Sequence, residues 1–313
     1  MPSDPRGGSD WGVQAWSTVR TRSLNIEAVQ GVDRMRAYDH LDVGIQDDVF
    51  RIAFDRPDRK NAINEAVQRE FAAVWQDAEE SDARVVLVTG NGAAFCAGGD
   101  TESMRDAYEE GFGREEGPAM PALKDGTFMD SIRLIERTIY GMIDLHKPLV
   151  ARVNGDAVGF GASIAMLTDI AIASEDARVG DPHVGVGISA PVGPMLWPLL
   201  TDMHTAKEYL MTRELMSAEE AADVGLINRA VPDEQLGSAV DETIEKLASG
   251  PQPAMQYTKV ALNNWLDWAA NNMLRESLLF EGLSQAHPDH EEAVGAFLEK
   301  REPSFPSGRS REE

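Results

Sequence analysis

Two glycine-rich stretches stand out for what their backbone could do: AFCAGGD, from Ala94 to Asp100, and NGDAVGFGAS, from Asn154 to Ser163. Each follows an apolar run of strand character. Glycine there opens backbone conformations closed to other residues and lets a ligand approach the chain closely. Where a helix begins, its free N–H groups and dipole favour partial negative charge. Two such turns facing each other would make an oxyanion hole, in which each donor is worth about 3 to 4 kcal/mol against charge that develops in a transition state. The same spacing also fits two tight connections with no ligand at all. Neither stretch has the glycine and lysine positions of a P-loop or a dinucleotide fingerprint, so phosphate cradling is the weaker option. His183, in GDPHVGVG, titrates near neutrality and could serve as acid or base, although a lone histidine in an apolar segment is often structural. Cys96 is the single cysteine, which rules out an internal disulfide and leaves no metal-ligand cluster.

The elements that must position these groups alternate between strand and helix. Leu41, Val43 and Ile45 alternate, Asp47-Asp48 is a turn signal, and Val49, Phe50, Ile52 and Phe54 follow, which predicts a hairpin. Asn64 is placed to cap a helix whose apolar face is Val67, Phe71, Val74, Trp75 and Ala78. VVLVTG, from Val85, is continuously apolar, as in a parallel strand covered on both faces. Thr127 and Asp130 have capping-box spacing ahead of a helix with Phe128, Ile132, Ile135 and Ile139 on one face. LVARV, after Pro148, leads into the second glycine turn and an apolar helix, so that two strand, turn and helix units echo each other. DIAIA from Asp169 and LINRAV from Leu226 continue the alternation, with Ser217 and Glu220 as a second capping box and Gly225 as a helix terminator. Residues 1–35 lack apolar periodicity and read as a loosely ordered extension, 36–252 as the α/β core, and 253–313 as a separate helical region. In the last, Trp265, Leu266, Trp268, Leu278, Leu279 and Phe280 are available for burial.

Composition narrows the partners. The 313 residues carry 29 Lys plus Arg against 53 Asp plus Glu, a formal net charge of −24, which repels phosphate backbones and makes nucleic acid an unlikely ligand. No apolar run approaches the roughly 20 residues of a membrane span, and the first residues lack a signal-peptide layout, so a cytoplasmic protein is expected.

The ordered set DRPDRKNAIN, VVLVTGNGAAFCAGGD, KPLVARVNGDAVGFGASIAMLTDIAIASEDARVG, MSAEEAADVGLINRAVP and AFLEKREPSF resembles the crotonase (enoyl-CoA hydratase/isomerase) superfamily from about Leu41 to Phe305. The resemblance implies an α/β fold of stacked ββα units with a helical C-terminal part, assembled as homotrimers or homohexamers. It also implies an acyl-coenzyme A thioester as substrate, with coenzyme A part of the substrate and no separate cofactor. The family's oxyanion donors fall on the N–H groups of Gly99 and Phe160. Phe160 departs from the family's usual glycine, so its side chain must pack into the acyl pocket or the wall behind it, and a restricted acyl group is expected. Arg59, Lys60 and Ala62 resemble the segment lining the pantetheine and adenine, Ala97, Asp100 and Ser163 fall in the substrate-binding turns, and Phe297 and Lys300 resemble residues covering the nucleotide.

The family's two catalytic glutamates map onto Ser163 and His183, and both are missing. A serine hydroxyl has no useful acidity at neutral pH, which disfavours the two-carboxylate hydration mechanism. DPHVGVGI followed by LWP is similar to the 6-oxocamphor hydrolase-like branch, which cleaves a C–C bond of cyclic β-diketones with a histidine and a later aspartate. That aspartate maps onto Val192. Asp181 is too close in sequence to be a confident substitute, and Glu102, Asp106 and Glu110 are possible distant suppliers. Three functions are therefore open: a hydratase or isomerase with displaced acid–base groups, a retro-Claisen hydrolase of a 1,3-dicarbonyl using His183, and a catalytically silent acyl-CoA binder.

Overall fold

The computed structural model describes residues 37–100 and 127–308. The expected extension at 1–35, the carboxylates Glu102, Asp106 and Glu110, and the side chains of Thr127 and Phe128 lie outside the described residues.

A hairpin opens the described chain, with β1 (Leu41–Gln46) antiparallel to β2 (Val49–Phe54). Asp47 and Asp48 form its two-residue loop with φ of 48° and 65°, the left-handed pair that a tight hairpin turn of matching twist requires. Helix α1 (Glu65–Glu80) starts where Asn64 accepts the Val67 N–H on its side-chain oxygen at 3.0 Å, and it buries all five residues of the expected apolar face.

β3 (Val85–Gly90), β4 (Leu149–Val153), β6 (Ile170–Ser174) and β9 (Arg229–Val231) extend β2 in parallel, giving a sheet ordered β1-β2-β3-β4-β6-β9. Every residue of β3 is buried because both faces of the sheet are covered. Val86 and Val88 face the main core with α1 and α2 (Thr127–Asp144), whereas Val85 and Leu87 face a second cluster under α7 (Asp233–Ser249) built on Leu236, Val240 and Ile244. The mixed α/β architecture expected from the sequence is thus present.

A smaller sheet joins β5 (Ala157–Val158) in parallel to β7 (Arg178–Gly180), and β7 antiparallel to β8 (Met216–Ser217). Short helix α3 (Phe160–Leu167) leads from β5 to β6, α4 (Gly193–Leu200) and α5 (Met203–Thr212) lie between β7 and β8, and α6 (Ala218–Asp223) leads from β8 to β9. The capping box at α6 is only half formed. Ser217 Oγ accepts the Glu220 N–H at 3.1 Å, but the Glu220 carboxylate takes the Tyr209 hydroxyl instead of reaching back.

From residue 252 the chain is helical: α8 (Gln252–Ala269), a π turn at Ala270–Leu274, α9 (Arg275–Gln285) and α10 (Pro288–Glu299). Ala269, Ala270, Leu274 and Leu278 enter the same core as the sheet. Lys259 crosses to the Lys147 carbonyl (2.8 Å) and to Asp169 (2.9 Å), tying α8 to the start of β4. The expected burial of this region's large residues is only partly met. Leu278 is fully buried and Leu266 packs on the core margin, but Trp265, Trp268, Leu279 and Phe280 are exposed, because the core faces of these helices are already filled by smaller residues.

Candidate functional site

β3 and β4 are adjacent and parallel, so the segments that follow them leave from the same end of the sheet's strands. That is why the two glycine turns meet. Cys96 and Ala157 form a parallel bridge in which the Cys96 N–H donates to the Asp156 carbonyl (3.1 Å) and the Val158 N–H to the Cys96 carbonyl (2.9 Å). Two asparagines stitch the loops together. Asn154 accepts the Gly90 N–H (3.1 Å) and donates to the Gly92 carbonyl (2.9 Å), while Asn61 donates to the carbonyls of Asn91 (3.0 Å) and Ala94 (2.8 Å).

Gly98 and Gly159, the residues just before the two expected donors, are both left-handed, with φ of 82° and 58°. A Cβ on Gly98 would sit 2.7 Å from the Val158 carbonyl oxygen, so both conformation and space require glycine. Beyond them, the N–H groups of Gly99 and Phe160 have no hydrogen-bond partner among the described residues. Phe160 is the first residue of α3, where a free N–H is the rule.

β7 delivers the histidine. The Gly159 N–H donates to the Gly180 carbonyl at 2.8 Å, and the chain then runs through Asp181 and Pro182 into a single 3-10 turn, His183–Val186. The imidazole lies against Gly159: a Cβ there would be 3.3 Å from His183 Cε1 and 3.8 Å from Nε2. The other ring nitrogen, Nδ1, is hydrogen-bonded to Asp181 Oδ1, which also accepts the His183 N–H at 3.3 Å. Asp181 therefore does reach the ring, a correction to the expectation that it sits too close in sequence. The turn across Pro182 folds the aspartate back onto the residue two positions on, as short polar side chains do at turns. Val192, where the resembled branch has its aspartate, is fully buried in the core.

Burial pulls the His183 pKa down, but the Asp181 charge and hydrogen bond, helped by Glu281, more than offset this, and the net shift is upward. With Nδ1–H donated to Asp181, Nε2 is the nitrogen left for chemistry.

Ala97, Gly98, Gly99, Val158, Gly159, Pro182, His183, Val186 and Phe297 line one pocket of ≈ 260 Å³. Of the residues singled out in the sequence, the structure brings Ala97, Gly99, His183 and Phe297 together here. Arg59, Lys60 and Ala62 run alongside the first turn. Lys60 offers its carbonyl to the Ala97 N–H (3.0 Å), and the Ile63 N–H donates to the Gly98 carbonyl (2.7 Å). Arg59 and Lys60 are exposed and Ala62 is buried. Lys300 caps α10 in a left-handed conformation and is exposed three residues beyond Phe297.

Asp100, Ser163 and Phe160, like Arg59, Lys60, Ala62 and Lys300, do not line the pocket. Asp100 is buried in an ion pair with Arg56 (2.9 Å), which holds the turn from behind. The Ser163 hydroxyl is buried and turned to the Gly159 carbonyl, 3.4 Å away. The Phe160 ring packs on the margin of the main core and does not line this pocket. Sequence reasoning missed Asn61 and Asn154, whose turn-forming type in KNAIN and VNG was the available signal, and Glu281, which carries no local signal at all.

The enoyl-CoA hydratase/isomerase family profile matches residues 44–308. A crotonyl-CoA hydratase of Syntrophomonas wolfei is 30% identical over 273 residues, 86% of this chain and 98% of that protein. A short-chain-enoyl-CoA hydratase of Clostridium acetobutylicum is 33% identical over 254 residues, 80% and 91% of the two chains. The crystal structure of an enoyl-CoA hydratase/isomerase from Mycobacterium paratuberculosis superposes with a TM-score of 0.71 at 32% identity, covering 82% of this chain and 97% of the other.

Proposed function

Since the chain belongs to the enoyl-CoA hydratase/isomerase family, we propose that this enzyme acts on an acyl-coenzyme A thioester through an enolate held at the Gly99 and Phe160 N–H groups, with His183 moving the proton. The observation that carries this reading is His183, oriented by Asp181 and set over Gly159 in the same small pocket as Gly99. The thioester carbonyl accepts from the two N–H groups. As charge moves onto its oxygen, the free donors gain strength without reorganising. His183 Nε2 takes a proton from the α-carbon or from a water aimed at the β-carbon, and the imidazolium that forms is stabilised by Asp181. Ser163, turned to its own helix, takes no part.

Coenzyme A enters as part of the substrate, and no further cofactor is needed for this chemistry. Arg59 and Lys60, exposed beside the first turn, and Lys300, near Phe297, are placed to meet its phosphates against an otherwise acidic surface. A homotrimer or homohexamer is supported by the apolar side chains that α8 and α9 leave exposed, with Trp265 at 68% and Leu283 at 67%. Light scattering after gel filtration measures it, and a monomer at micromolar concentration would reject it. No described helix is long and apolar enough to cross a membrane.

The His183–Asp181 pair also favours a second reading, the retro-Claisen hydrolysis of a 1,3-dicarbonyl. There His183 activates water and the same two N–H groups hold the enolate that leaves. Calorimetry with acetyl-CoA and longer acyl-CoAs, followed by assays of crotonyl-CoA hydration, double-bond migration and dicarbonyl cleavage, separates the readings. Absence of any acyl-CoA binding overturns the first. Binding without turnover in any assay identifies a silent binder.

A further inference from the structure

The proposed chemistry generates an imidazolium, and the family position that would normally share the proton load holds Ser163. The described structure offers another carboxyl, Glu281 on α9. Ser277 and Leu278, one turn earlier, and the adjoining Gly282 are all buried, so Glu281 lies along the helix face that is turned inward. One turn later, Ser284 Oγ accepts the Ser189 N–H at 2.9 Å, which fastens α9 to the segment just after the His183 turn. α10 holds the same turn from its other end. There His290 Nδ1–H donates to the Val186 carbonyl (2.6 Å), and a Cβ on Gly187 would lie 2.8 Å from the His290 Cα.

Glu281 is only half-buried, yet its carboxyl makes no hydrogen bond or ion pair with any described residue. A carboxylate held against an inward helix face is ordinarily paired, because removing it from water is costly. Among the described residues, the charged groups that act on it are His183 and Asp181, while His290 on α10 is committed to a backbone carbonyl. Asp181 is similarly under-satisfied: its Oδ2 is buried without a partner among the described residues.

We infer that Glu281 is a positioning residue acting through His183, a second carboxyl that stabilises the imidazolium together with Asp181. Burial pushes Glu281 up to about 7, with His183 pulling it back and Asp181 pushing it further. Atoms balance simply: a proton accepted at His183 Nε2 leaves one positive charge between two carboxyls, and protonating Glu281 removes the excess negative charge when the pH falls.

The consequence for turnover rests on the proposed acyl-CoA chemistry, but the electrostatic coupling does not. The test is an NMR titration of protein labelled at histidine Cε1, with the His183 signal assigned by its loss in H183A. E281Q should lower the His183 midpoint by about half a pH unit or more, because a negative neighbour is removed, and E281D should recover most of the shift. Acetyl-CoA affinity by calorimetry should be unchanged, and on any substrate turned over the acidic limb of kcat/KM should move with the NMR midpoint. E281A gives the same readout if the glutamine variant does not fold. A folded E281Q or E281A in which His183 titrates as in the wild type overturns the inference. If acyl-CoA fails to bind the wild type, the proposed function falls while the titration still decides the role of Glu281.

Discussion

The two halves of the pocket are built differently. On one side, the Ala97–Asp100 and Asn154–Phe160 turns present backbone N–H groups, fixed by the Cys96–Ala157 bridge, the Ile63–Gly98 hydrogen bond and two left-handed glycines, with the side chains of Asn61, Asn154 and the Arg56–Asp100 pair as braces behind them. On the other side, His183, Asp181 and Glu281 are side chains from two elements far apart in sequence, coupled through charge. The donors of the first half are amide N–H groups that do not titrate, so their contribution should vary little with pH. The second should be governed by pH. A backbone oxyanion site can therefore persist while its acid–base partners are exchanged, and here the loss of glutamate at Ser163 and His183 leaves the donors in place.

The largest expected effect comes from breaking the backbone half. G99P removes one donor and should cost about 3 to 4 kcal/mol of transition-state stabilisation, roughly a hundredfold to a thousandfold in kcat. The loss should be equal at pH 6 and pH 9. A folded G99P with unchanged kcat, or with a loss that varies across the pH range, would remove Gly99 from the donor pair.

Breaking the side-chain half should cost somewhat less. H183A should lower kcat by about a hundredfold, with acyl-CoA affinity nearly unchanged, because the ring enters only the chemical step. Full activity in H183A would make the histidine structural and move the search to Glu102, Asp106 and Glu110. D181N should be milder, about tenfold, since the ring loses its orienting charge but keeps a hydrogen-bond partner. Its pH profile is the sharper test. The Asp181 carboxylate favours the imidazolium and so holds the His183 midpoint up. Neutralising it lowers the midpoint, and the acidic limb of kcat/KM should then move to lower pH. A limb that stays in place or moves upward would show that Asp181 does not act on the base.

This contrast also explains what could be read from the chain. The strands, the α1 face and both glycine turns were legible because each depends on local periodicity or on a residue type with one conformational use. Gly99 and His183 were singled out through the family resemblance that those motifs carry. Asp181 was underrated because proximity in sequence says nothing about a turn that folds a side chain back on itself. Glu281 was invisible, since a charge on a helix surface pattern reads as solvated and only the packing of α9 on the His183 segment brings it into play. The exposed Trp265 and Trp268 were misjudged because hydrophobicity predicts burial without naming the surface that provides it.

The smallest expected effect tests whether the backbone half can be loosened without touching chemistry. Asn64 caps α1 directly after Ile63, the residue whose N–H and carbonyl clamp Gly98 and Asp100 from the other side. N64A leaves the Val67 N–H to water and should cost about 1 kcal/mol of stability. In a chain of this size that is about 2 °C in Tm. The clamp itself is a pair of backbone hydrogen bonds that alanine can still make, so kcat and its pH profile should not change. Scanning calorimetry beside a single steady-state assay decides the matter. If N64A lowers kcat tenfold while Tm falls as expected, the helix start is part of what holds the donors, and the two halves of the pocket are less separable than their construction suggests.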